Sequence, residues 1–148
     1  MDKVKQGSIE QITNEVYDEL LTTGSSLLDE EVLKIVIKAA KAYHTWSGEL
    51  STTNDDEVLI IDSNTVIAVD DWEIMKPVVL AHCDLAQARR LESMQELNTG
   101  ISTSEAMQLY KDAMTMMKKE AFQCMPTTFD LGDDDRDRLT NLFGLQDL

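Results

Sequence analysis

The chain has 148 residues and a mass of 16.7 kDa, enough for one modest hydrophobic core and not for two. Its 13 Lys and Arg stand against 28 Asp and Glu, giving a formal charge of -15 and a pI near 4.3, which excludes nucleic-acid binding by bulk charge. Hydrophobic residues at 43% and charged residues at 28% are ordinary globular usage, so the acidity alone does not predict disorder.

The first eight residues, Met1 to Ser8, lack the apolar run of a signal peptide. No stretch approaches the roughly 20 apolar residues that span a bilayer. A soluble intracellular protein without membrane contact is therefore expected. Ser8-Ile9-Glu10-Gln11 has the form of a capping box, and Ile9, Ile12, Val16, Leu20 and Leu21 follow at three- and four-residue steps until Gly24. That spacing predicts a first amphipathic helix. Ser26-Leu27-Leu28-Asp29 opens a second, whose stripe of Leu28, Val32, Ile35, Val36, Ala39, Ala40 and Tyr43 runs to Trp46 and ends before Gly48.

From Glu49 to Glu73 there are eight acids and no Lys or Arg. Two β-branched runs, Val58-Leu59-Ile60-Ile61 and Thr65-Val66-Ile67-Ala68-Val69, flank Asp62-Ser63-Asn64 and predict a β-hairpin near residues 57–70. Apolar on both faces, such a hairpin needs cover from helices or from another copy.

Asp70-Asp71-Trp72-Glu73 is read as the cap of a third helix, with a bend or break near Met75 to Pro77 because proline lacks the amide that the helix ladder uses. Beyond it, apolar residues fill eight of the eleven positions from Val78 to Ala88, too wide an arc for a helix with one wet face. Asn98-Thr99-Gly100 is read as its end. Ser102-Thr103-Ser104-Glu105 then caps a fourth helix with a stripe of Ala106, Tyr110, Ala113, Met117 and Ala121, and with Met107 and Met114 beside it. From Pro126 to Leu148 the chain carries six acids and two arginines, then Leu139, Leu142, Phe143 and Leu145 at helical steps. The fold class expected is mainly α: a four-helix domain over residues 1–125 with one β-hairpin insertion, followed by an extended acidic C-terminal arm, 126–148.

Chemistry finds little purchase. His82 and Cys83 are adjacent on a helix and point about 100° apart, so they do not form a thiolate–imidazole pair. His44, His82, Cys83 and Cys124 lack the spacing of a metal set. The acidic runs at Asp55-Asp56-Glu57, Asp70-Asp71 and Asp133-Asp134-Asp135 read as caps and solvated loops, and none has the ligand order of an EF-hand loop. Nucleotide-binding, nucleophile-elbow and metalloprotease motifs do not occur. The sequence supports no catalysis, cofactor or metal.

The run from Asp29 to Gly48, with an acidic start, a double Ala at Ala39-Ala40 and an aromatic-to-Gly end, resembles a helix of tailed-phage head–tail connector (head-completion adaptor) proteins. Asp71-Trp72-Glu73-Ile74-Met75-Lys76-Pro77, continuing through Leu80, Ala81, Leu85, Ala86 and Arg89-Arg90-Leu91-Glu92, is similar to the long helix of that class. The following helix, to Glu120-Ala121-Phe122, fits it too. The likeness covers residues 28 to 131 and lies in a pattern of helices.

The resemblance implies a structural virion protein, made in the host cytoplasm and placed at the head–tail junction. It implies a homo-oligomeric ring, commonly of about twelve copies, stacked on the portal protein and met by tail or collar proteins. Genomic DNA would pass through without specific binding, repelled by acidic walls. Ile60, Ile67, Arg89, Arg90, Leu139, Leu142, Phe143 and Leu145 are then the expected subunit or partner contacts, and Asp55, Asp56, Glu57 and Asp62 the acids expected to face the channel. The alternative from another class is a small acidic adaptor or inhibitor that mimics DNA charge and acts as a monomer or dimer.

Overall fold

The computed structural model describes residues 4–47, 60–94 and 102–123. Over them the chain is mainly helical. The elements run β1 (Lys5–Ser8), α1 (Ile9–Thr22), α2 (Asp29–Ser47), β2 (Val66–Ala68), α3 (Val69–Ser93) and α4 (Thr103–Gln123). The two strands form one small antiparallel sheet.

The capping box at the start of α1 is complete. The Gln11 amide donates to Ser8 Oγ at 3.2 Å, and the Ser8 amide donates to Gln11 Oε1 at 3.0 Å. Of the expected stripe, Ile9, Ile12, Val16 and Leu20 are buried, while Leu21 stays half exposed. The chain then reverses at Gly24, whose φ of 82° falls in the left-handed region that favours glycine. α2 buries Val32, Ile35, Val36, Ala39, Ala40 and Tyr43, as its spacing requires, but Leu28 lies outside the helix and in water.

The strand at Val66–Ala68 lies where the sequence places one, but its partner differs. It pairs with Lys5–Ser8, in the register Ser8 to Val66, Gly7 to Ile67 and Lys5 to Ala68. Ile60 and Ile61 belong to no strand, and Val58 and Leu59 lie outside the described residues. The reason is visible in the first turn of α1, whose amides have no acceptors within the helix. Ile9 N donates to Thr65 O at 2.8 Å and Glu10 N to Ser63 O at 2.9 Å, so the turn before β2 completes the helix that follows β1. Gly7 takes a φ of 145°, which side chains rarely adopt, and a Cβ there would stand 2.7 Å from Gln11 Oε1 and displace that capping side chain. Ile61 and Ile67 are buried in the common core.

α3 is central, packed along α4 and touching α2 and both strands. It buries Trp72, Met75, Val78, Val79, Cys83, Leu85 and Ala88. Two expectations are corrected here. Ala68, not an aspartate, is the N-cap, and Asp70 and Asp71 lie within the first turn, where carboxylates favour the positive end of the helix dipole. The helix also runs unbroken through Pro77. Pro77 and Glu73, whose carbonyl loses its partner, are both on the solvent side, and buried Met75, Val78 and Val79 hold the flanking turns together. α3 ends at Ser93, earlier than expected, while Asn98 to Gly100 lie outside the described residues.

α4 begins with the Glu105 amide donating to Ser102 Oγ at 3.2 Å, which is half of the predicted box. Ala106, Met117 and Ala121 are buried, and Tyr110, Ala113 and Met114 are partly covered.

Candidate interaction surface

α4 is buried along one stripe, and its two flanks differ. Lys118 lies toward α2, its ammonium 5.5 Å from the centre of the Trp46 ring, with Phe122 one turn further on. Leu109 and Met116 are seven residues apart and therefore share a side. Leu109 is nine residues, half a rotation, from Lys118, so this side faces away from Trp46. Both are exposed, at 50% and 56%, and Phe122 is exposed at 63%. The flank was missed in the sequence because its signal is only two residues, beside a stripe that accounts for the rest of the helix.

The residues singled out from the sequence fall into separate places. Ile67 is fully buried beneath the sheet and cannot be a subunit contact in this fold, while Ile60 is 40% exposed. Arg90 is half-buried and engaged within its own chain. Its guanidinium donates to Ser26 O at 2.6 Å and pairs with Glu31, and nearby Gln87 Oε1 accepts from Ser26 N at 3.1 Å. These contacts fasten the α1–α2 loop onto α3. The Leu28 amide, and then Arg90, hold the Glu31 carboxyl below its usual range. Arg89, next to Arg90, points to solvent.

Asp62 is exposed but works locally. Its Oδ1 accepts from Asn64 N at 3.0 Å, its carbonyl accepts from Thr65 N at 3.1 Å, and its amide donates to Thr65 Oγ1 at 3.0 Å. It builds the turn that caps α1. Asp55, Asp56, Glu57, Leu139, Leu142, Phe143 and Leu145 lie outside the described residues.

Of the titratable groups, Tyr43 donates to Asp71 Oδ1 at 2.6 Å in the buried space between α2 and α3. His82 packs against Tyr110 of α4 with ring centroids 4.8 Å apart and the rings tilted by 46°, while Cys83 beside it turns into the core. Burial, then Lys38 and Arg89, push the His82 pKa down. Burial, then Asp84, push the Cys83 thiol up to about 12, which leaves it un-ionised and poorly nucleophilic. Cys83 and Asp84 line a cleft of about 450 Å³ with Leu20, Ser25 and Gln87. Among the described residues, no three His, Cys, Asp or Glu are placed to hold a metal ion, and no helix is long and apolar enough to cross a membrane.

The geometry leaves an exposed apolar flank on α4, while local polar contacts fix the α1–α2 loop onto α3 and the Asp62–Thr65 turn onto α1. The chain matches no known family model, no curated protein and no solved structure.

Proposed function

We propose that the protein is a structural virion component of a tailed phage, a ring-forming adaptor between portal and tail that forms part of the DNA channel. The observation that carries this reading is the Leu109 and Met116 flank of α4, which leaves two large apolar side chains in water beside the stripe of Ala106, Met117 and Ala121 that the core uses. Apolar area of that kind is favourable to bury, at about 25 cal/mol per Å². A head-to-tail contact repeated around a closed ring would bury it in every copy. Exposed Ile60 and Arg89 are the further candidates for contact with a neighbour. Ile67 and Arg90 leave the proposal, because the fold already uses them.

The charge of -15 suits the conduit. Acidic walls repel phosphates and let a duplex slide. Asp55, Asp56 and Glu57 are proposed to face that channel, and Leu139, Leu142, Phe143 and Leu145 to reach a partner.

Native mass spectrometry and cryo-EM of the purified chain, together with composition analysis of virions, test the reading. A closed ring, present in virions at a fixed copy number and lost on Leu109→Glu with Met116→Glu while circular dichroism is unchanged, is the expected result. Absence from virions, with a monomer at every concentration, would favour the acidic inhibitor instead. Measurable affinity for duplex DNA at physiological salt would count against the conduit.

A further inference from the structure

Charge on α2 is sorted along the helix. Asp29, Glu30 and Glu31 fill its first turn, and from Val32 to Ser47 there are three lysines and no carboxylate. Lys34, Lys38 and Lys41 fall within about 60° of one another around the axis, so they form a single stripe. All three are exposed. Among the described residues none of the three forms an ion pair, the pair found there being Glu31 with Arg90, although Lys34 lies close enough to Glu31 to act on its carboxyl. On α3, exposed Arg89 lies, like Lys38, close enough to His82 to act on its imidazole. A face of three lysines with no ion pair among the described residues, and a fourth exposed cation on the neighbouring helix, is unexpected on a chain of net charge -15.

The chain itself contains a matching anion. Residues 130 to 137 hold Asp130, Asp133, Asp134, Asp135 and Asp137 against Arg136 alone. This stretch is tethered to the end of α4 at Gln123, five residues beyond the Lys118 that lies over Trp46 of α2. Lys34 is twelve residues before Trp46, about 18 Å along α2. The fourteen residues from Cys124 to Asp137 can extend to roughly 46 Å, enough to reach the whole stripe.

We infer that the acidic stretch Asp130–Asp137 docks on the Lys34, Lys38, Lys41 and Arg89 face of its own chain. A short tether places the two at millimolar effective concentration, so even weak exposed ion pairs, repeated several times, hold the segment in place. The contact is screened by salt. Docking would set where the apolar residues Leu139, Leu142, Phe143 and Leu145 emerge, and so where an arm could meet a partner. It holds for the single chain, whether or not a ring forms.

Zero-length carbodiimide cross-linking of the full chain, using an equal mixture of 14N- and 15N-labelled protein, tests this directly. The expected result is links from Asp133, Asp134 or Asp135 to Lys34, Lys38 or Lys41, within one isotope label and several-fold above links to the equally exposed Lys111 and Lys119. Yield should fall several-fold when salt shortens the Debye length from about 10 Å to about 3 Å. The variant Lys34→Glu/Lys38→Glu/Lys41→Glu, checked for unchanged helicity, should lose these links and be cut several-fold faster by protease after residue 126. Links that mix isotope labels would assign the stripe to a second copy. No preference for the stripe, or an unchanged cutting rate in the variant, would also overturn the inference.

Discussion

α3 and α4 are neighbouring helices of similar length, 25 and 21 residues, that pack along one another, yet they meet their surroundings differently. α3 touches α2, α4 and both strands and buries aromatic, thioether and β-branched side chains around much of its circumference. α4 buries two alanines and Met117, and leaves Leu109, Met116 and Phe122 in water. Both helices are rich in apolar residues. What distinguishes them is the number of neighbours the fold provides, which makes α3 the chain's own core and leaves α4 with surface to share.

The widest separation between the two comes from truncating α3. Met75 is fully buried, so Met75→Ala is expected to cost about 2–5 kcal/mol through lost transfer energy and the cavity left behind. Urea denaturation measures it, and a loss under 1 kcal/mol would mean that α3 is not the core helix. The buried bond from α2 to α3 is next. Tyr43→Phe should cost about 1.5–3 kcal/mol, because Asp71 loses a hydrogen-bond donor at a site closed to water.

At the contact between α3 and α4 the test is pH. The folded state disfavours charged His82, so the unfolded chain binds the extra proton. This contribution to stability is full above the ordinary histidine value near 6.5 and is lost as pH falls below it. His82→Gln should therefore show a smaller drop in melting temperature between pH 7 and pH 5 than the natural chain. An identical drop would remove His82 as the cause. On α4 itself the expected effect is smallest. Leu109→Glu with Met116→Glu should change stability by less than about 0.5 kcal/mol, as surface substitutions do, so any loss of assembly can be read as loss of contact. A loss of several kcal/mol would place these residues in a core and end their role as a shared flank.

The helices and their buried stripes were legible in the sequence by itself. Ser8 to Gln11 and the spacing of Ile9, Ile12 and Val16 determine α1 locally, because capping and amphipathic period act over three or four residues. The same holds for α2 and for Ala106, Met117 and Ala121 of α4. The strand at Val66–Ala68 was legible as a strand, but not its partner, since the pairing joins residues about sixty positions apart and is decided by which carbonyls complete α1. Tertiary structure likewise decided that Ile67 is core and that Arg90 is spent on Ser26 and Glu31. It also decided that Leu109 and Met116 are left uncovered, for side chains of one chemical type differ only in what the rest of the chain brings against them.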